Sequence, residues 1–180
     1  SNGRVYWDAG HAMSTSYDRI DMAVDPSDFA GKWTHWTFVK NASTGMMAIY
    51  MNGTQVLSGT GKTKSMAGLT RFKLGGRGDS PFGGNYDGHI DEFQIWSKAL
   101  TEAEVQDYMY KSIDASHPQY GSLKAAYAFD ELQGAAATDY SGAGNHAQLM
   151  GLPTRVTEQG GNLNRNLTLT SVRPVLTLTS

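Results

Sequence analysis

The sequence predicts an all-β sandwich with a single short helix. Three observations predict it. Runs dense in β-branched and aromatic residues recur along the first half, with Gly, Pro, Asn and Asp between them. The clearest of these runs, Gly88-His89-Ile90-Asp91-Glu92-Phe93-Gln94-Ile95-Trp96, leads straight into Ser97-Lys98-Ala99-Leu100-Thr101 and the helix start that follows. That half carries one helical signal and no other, so its remaining length belongs to strands and turns.

The elements follow in order. Arg4-Val5-Tyr6-Trp7 opens a strand, and residues 18–24 form the next, with Ile20, Met22 and Val24 alternating. Asp25-Pro26-Ser27-Asp28 is a turn. Trp33-Thr34-His35-Trp36-Thr37-Phe38-Val39 suits a half-buried pleated surface, and residues 46–51 follow it as a strand. Asn52-Gly53 predicts a tight hairpin because both residues tolerate positive φ, with residues 54–57 as the return strand. Residues 71–74 and 89–96 complete the visible set. In the last strand Ile90 lies in one apolar phase while Phe93 and Ile95 lie in the other, which predicts a bulge or twist at Asp91-Glu92. Thr101 with Glu104 forms a capping box, Leu100 with Val105 a staple, and Tyr108 and Met109 the inner face of the helix. Residues 116–122 read as a linker. Beyond it, Leu123-Lys124-Ala125-Ala126-Tyr127-Ala128-Phe129-Asp130-Glu131 and Ala147-Gln148-Leu149-Met150-Gly151 open a second segment, which ends in the alternating stretches 166–170 and 175–179.

Composition narrows the function classes. The formal charge of the 180 residues is -2, with acids and bases mixed, so a basic stripe for nucleic acid is missing. Apolar runs are only a few residues long, which excludes membrane insertion by a helix. Cysteine is absent, and Gly, Ser, Thr and Asn are frequent, a balance that fits a bacterial surface or exported β-protein. Gly59-Thr60-Gly61-Lys62-Thr63 lacks the spacing of a phosphate loop, and the histidines show no metal spacing.

Four motifs, Trp33-Thr34-His35-Trp36-Thr37-Phe38, Ile49-Tyr50-Met51-Asn52-Gly53, Leu74-Gly75-Gly76 and Tyr86-Asp87-Gly88-His89-Ile90-Asp91-Glu92-Phe93-Gln94-Ile95-Trp96, occur in an order that resembles a laminin G-like domain of the concanavalin A-like lectin/glucanase superfamily, bacterial type, over roughly residues 4–112. The resemblance implies a jelly-roll sandwich of two antiparallel sheets, with the short helix after the closing strand. It divides the chain into residues 1–115, a domain lacking its first strands, and residues 123–180. Tyr127-Ala128-Phe129-Asp130-Glu131 and Asp139-Tyr140-Ser141-Gly142-Ala143-Gly144-Asn145-His146 look like the segment that opens such a domain. Residues 123–180 are then the start of a following repeat in a larger multidomain protein, or strands that fold back and complete the sandwich.

The same resemblance implies a structural Ca²⁺ between opening and closing strands, held by Asp91, Asp130 and Asp139 with backbone oxygens. No catalytic residue is assigned: neighbouring acids on a strand point to opposite faces, so Asp91 and Glu92 could flank one sugar bond only through the bulge, and the Glu-x-Asp-x-x-Glu run of the glucanase relatives is absent. Hydrogen bonding to nearby backbone is the other use for that pair. The Gly-rich loop carries Arg77-Gly78-Asp79, a tripeptide that integrins read, and loops on a rigid scaffold concentrate ligand contacts. Trp36, Arg77, Asp79, Asn85 and Tyr86 are accordingly the candidate ligand-binding residues, with Trp33 expected in the core. The function expected is a non-catalytic extracellular module that binds a glycan or a surface protein. The alternative is a structural spacer in a large adhesin, with no sugar site.

Overall fold

The structure, a computed structural model, describes residues 3–10, 16–68, 72–76, 86–131, 133–151, 153–156, 168–170 and 175–178. It is mostly β, antiparallel throughout, with one short α-helix, as the sequence predicts. The chain forms two compact units, Ser1–Leu69 with Lys98–Ser112, and Thr70–Ser97 with Ile113–Ser180.

The first unit holds β1 (Arg4–Ala9), β2 (Asp18–Ala23), β3 (Trp36–Asn41), β4 (Met46–Met51), β5 (Thr54–Gly59) and α1 (Glu102–Tyr108). β1 and β2 form a two-stranded ribbon in which Tyr6 lies opposite Asp21, Trp7 opposite Ile20 and Asp8 opposite Arg19. Alternation turns Val5, Trp7, Ala9 and Ile20 inward against Met47 and Ile49 of the sheet β3-β4-β5. Met47 and Ile49 are fully buried. The opposite face of the sheet buries Val39, Ala48 and Tyr50, with Met46 and Ala99 packed on them. A Cβ at Gly59 would sit 2.6 Å from Ile20 Cγ2, so the close approach of β5 to β2 requires glycine there.

The hairpin tip has the conformation its sequence demands, Asn52 at φ 50° and Gly53 at φ 78°. Asn52 Oδ1 accepts from the His35 amide, and the Asn52 amide donates back to the His35 carbonyl, which fixes the chain leading into β3. Gln106 of α1 donates to the Gly53 carbonyl at 3.1 Å. The capping box is complete: Thr101 Oγ1 accepts from the Glu104 amide and the Thr101 amide donates to Glu104 Oε2. Val105 is buried. Trp33 corrects an expectation. It is 40% exposed, because β3 begins only at Trp36 and strand alternation does not extend back to it.

The second unit holds β6 (Lys73–Leu74), β7 (His89–Ile90), β8 (Phe93–Trp96), β9 (Leu123–Tyr127), β10 (Ala136–Ala137), β11 (Ala147–Met150), β12 (Thr154–Val156), β13 (Thr168–Thr170) and β14 (Val175–Leu178). Its sheets run β10-β11-β14-β6, β12-β13-β7 and β8-β9. Strands from residues 123–178 thus pair with strands from residues 73–96, including Phe93 opposite Tyr127 and Ile95 opposite Ala125. The packing therefore does not divide where the linker was expected. Within residues 116–122, His117 is buried, its ring 4.6 Å from that of Trp96, and residues Tyr120–Ser122 form a 3-10 turn.

Asp91 and Glu92 interrupt the closing strand. Glu92 adopts φ 48°, and Asp91 Oδ1 accepts from the Glu92 amide at 3.0 Å. One residue in the left-handed region resets the pleat, so Ile90, Phe93 and Ile95 all reach the same core around Tyr127 and Phe129. The phase conflict in the sequence is resolved by this break, which also hands the chain from β13 to β9 as its pairing partner.

Candidate functional site

In the first unit, the register that sends Trp7 and Ile20 inward sends Arg4, Tyr6 and Asp8 of β1, with Arg19 and Asp21 of β2, to the outer face. Arg19 lies over two rings, 4.7 Å from the centroid of Tyr6 and 5.0 Å from that of Tyr17. Its Nε and Nη2 donate to Asp8 Oδ1 and Oδ2, both at 2.6 Å, and Nη2 also donates to Tyr17 Oη at 2.8 Å. The hydrogen-bonded Asp8 carboxylate raises the proton affinity of Arg19, outweighing the opposing effect of burial. Arg4 makes a second ion pair with Asp21, its Nε donating to Oδ2 at 2.6 Å. The rings remain open to solvent, Tyr6 at 37% and Tyr17 at 45%. The result is an aromatic face whose planar charged groups are held in place by one another.

Sequence reasoning missed this face. The signal was there as an alternation of polar and aromatic residues, but the pairing of Asp8 with Arg19 depends on register across the hairpin.

The residues that were singled out fall elsewhere. Trp36 is half-buried, packed against the Met47–Ile49 core, with its ring 6.2 Å from Phe38 and 6.1 Å from Phe29. Tyr86, in the second unit, is 49% exposed and its Oη donates to the His89 carbonyl at 3.4 Å. Arg77, Asp79 and Asn85 lie outside the described residues.

Of the three carboxylates expected to hold calcium with backbone oxygens, Asp91, Asp130 and Asp139, the first and the last accept hydrogen bonds from their own chain. Among the described residues no three His, Asp or Glu side chains gather closely enough to hold a metal ion. Asp139, which is buried, is spent on its own chain. Oδ1 accepts from the Ala126 and Ser141 amides, and Oδ2 from Ser141 Oγ and the Asn145 amide, all at 2.9 Å. Four donors fill the lone-pair sites that a cation would need. Asn145 completes the arrangement by donating Nδ2 to the Lys124 carbonyl and accepting from Tyr127 Oη at its own carbonyl. The turn at 139–145 is thereby clamped along β9, covering an edge that would otherwise present open backbone groups. Burial, with the nearby Asp139 charge adding to it, keeps the Tyr127 hydroxyl protonated.

Two buried aspartates give the chain a defined acid response. The Lys40 ammonium, 2.7 Å from Asp18 Oδ2, holds that carboxyl below the ordinary 3.8. At Asp139 burial pushes the value up, but the bonds from Ser141, Ala126 and Asn145 outweigh it, and the net direction is again down. A carboxyl that binds its proton less readily when folded stabilises fully above its unfolded value and loses that contribution as pH falls through the lower folded value. The contribution of these two carboxyls to the urea midpoint is therefore expected to hold from about pH 7 to about pH 5 and to be lost below about pH 4, with Asp139→Asn shallowing that drop. Burial lowers the proton affinity of His35, which adds a decline of its own as pH falls below the ordinary 6.5. A midpoint that rises on acidification would contradict this.

A family model for the concanavalin A-like lectin/glucanases superfamily, of laminin G type, matches residues 1–106. The chain belongs to this superfamily. As a laminin G-like domain it has the mostly β, antiparallel architecture that its jelly-roll sandwich requires. Superfamily members are commonly carbohydrate-binding or adhesion modules, generally without catalysis, and laminin G-like domains are typically extracellular. No curated protein and no solved structure matches the chain. Among the described residues, no helix is long and apolar enough to cross a membrane. The laminin G-like fold alone does not name a ligand, because one sandwich carries many functions. The β1–β2 face lies within the matched region.

Proposed function

We propose that this laminin G-like domain is a non-catalytic, extracellular glycan-binding or adhesion module, one part of a larger protein, and that the outer face of the β1–β2 ribbon is its contact surface. The observation that carries the reading is the pair of solvent-facing rings, Tyr6 and Tyr17, locked around Arg19 beside the Asp8 carboxylate. An aromatic ring offers the apolar face of a pyranose a flat contact with few rotamers to immobilise. Asp8 and Arg19 are already fixed by each other, so the hydroxyls of a bound sugar would meet oriented groups. Each Asp8 oxygen takes one bond from Arg19 and can accept another. Such a face is shallow, so each site binds weakly, and strength comes from repetition in a multidomain parent.

A glycan array, run with the folded chain in calcium and again in EDTA, tests the reading. Selective binding that EDTA leaves unchanged is the expected result, since Asp139 is committed to backbone and side-chain donors. A sample with native circular dichroism that binds no glycan would overturn it and make the chain a structural spacer.

A further inference from the structure

We infer that the outer face of β1–β2 selects neutral glycans with vicinal hydroxyls over sulfated or uronic acid chains. The inference rests on the glycan-binding reading above and goes further by fixing the ligand's chemistry. Four charged side chains stand on this face, and they compensate in pairs, Arg19 with Asp8 and Arg4 with Asp21. A polyanion draws its affinity from cations whose charge is not yet answered, and it prefers several in a row. Here Arg19 has its fork closed on Asp8 and its flat surface packed against Tyr6 and Tyr17. A sulfate or carboxylate would meet that guanidinium only at its outer Nη1 edge, beside the Asp8 carboxylate that already answers its charge, or else displace Asp8 and leave two anions side by side. Lys64 reaches Ser16 Oγ beside Tyr17, and adds a single cation at one end of the face. The chain as a whole carries a formal -2, which opposes an acidic ligand at longer range.

A neutral diol meets none of these obstacles. Adjacent hydroxyls can donate to the remaining lone pairs of Asp8 while the ring of the sugar lies on tyrosine. Nothing needs to be displaced, and no charge is neutralised on binding. Affinity should then depend little on salt.

The test compares immobilised neutral polysaccharides (mannan, galactan, cello-oligosaccharides) with heparin and hyaluronan, at about 50 and about 500 mM NaCl. The expected result is binding to a neutral glycan that changes by less than about twofold between the two salts. Asp8→Asn, which removes a charge without changing shape, is expected to weaken the neutral ligand at least about fivefold and to raise heparin capture, because Arg19 is released. Preference for heparin or hyaluronan, lost roughly tenfold at the higher salt, would overturn the neutral selectivity while leaving the glycan-binding reading intact. Neutral binding untouched by Asp8→Asn would also overturn it. Binding to no glycan at either salt would instead overturn the reading on which it rests.

Discussion

Replacing Asp139 with alanine is expected to destabilise the second unit by about 3–5 kcal/mol. One buried carboxylate satisfies the amides of Ala126, Ser141 and Asn145 together with the Ser141 hydroxyl, and alanine would leave those donors without it in a region where water does not readily reach. Each buried donor left unsatisfied costs about 1–3 kcal/mol, and partial relaxation of the turn keeps the total below their sum. Asp139→Asn keeps one acceptor oxygen but turns an amide group towards donors, so it falls between the two, at about 1–3 kcal/mol. Urea unfolding gives the global value. Hydrogen exchange at the Ala126, Ser141 and Asn145 amides shows whether the loss begins at this turn. A change below about 1 kcal/mol would mean that the turn is held by something other than this carboxylate.

At Phe129 the usual ranking of glycine and alanine is expected to reverse. This ring is buried and stacked 6.0 Å from Tyr127, which in turn lies 6.4 Å from Phe93. Yet its backbone sits at φ 54°, in the left-handed region where a Cβ crowds the following carbonyl. Phe129→Ala forfeits the ring and keeps the strain, costing about 3–5 kcal/mol. Phe129→Gly forfeits the same ring but relieves a backbone cost of about 1 kcal/mol, so it should be the more stable variant by roughly that amount. Thermal unfolding of both variants decides the point. Alanine more stable than glycine would show that the backbone at this position relaxes once the ring is gone.

Much of the fold was legible because its signals are local. Asn52-Gly53 and Thr101 with Glu104 each dictate a turn or a cap within a few residues, and both form as expected. The phase slip between Ile90 and Phe93 announced an irregularity, and the single residue Glu92 supplies it. What escaped the sequence depends on distant partners. The charged pairs of the outer ribbon need Arg4 set near Asp21 and Asp8 opposite Arg19, a register fixed across the hairpin and not by composition. Asp139 was expected as a calcium ligand from the family resemblance, which carries no sign of the four donors this carboxylate accepts from. The short span Asp139-Tyr140-Ser141 was a clue, since aspartate followed two residues on by serine commonly closes a turn on its own backbone. Trp33 faces solvent for a related reason: alternation assigns faces only once the strand has begun.

The outer face of β1–β2 carries the proposed contact, and two of its rings can be removed together. Using the best ligand from the array, the affinity of the native chain is compared with that of the double variant Tyr6→Ala/Tyr17→Ala, and with Tyr86→Ala as an equally exposed tyrosine elsewhere. Loss of two stacking rings predicts at least about tenfold weaker binding in the double variant and less than about twofold change at Tyr86. If the double variant binds as well as the native chain while Tyr86→Ala does not, the outer face of β1–β2 is not the binding surface.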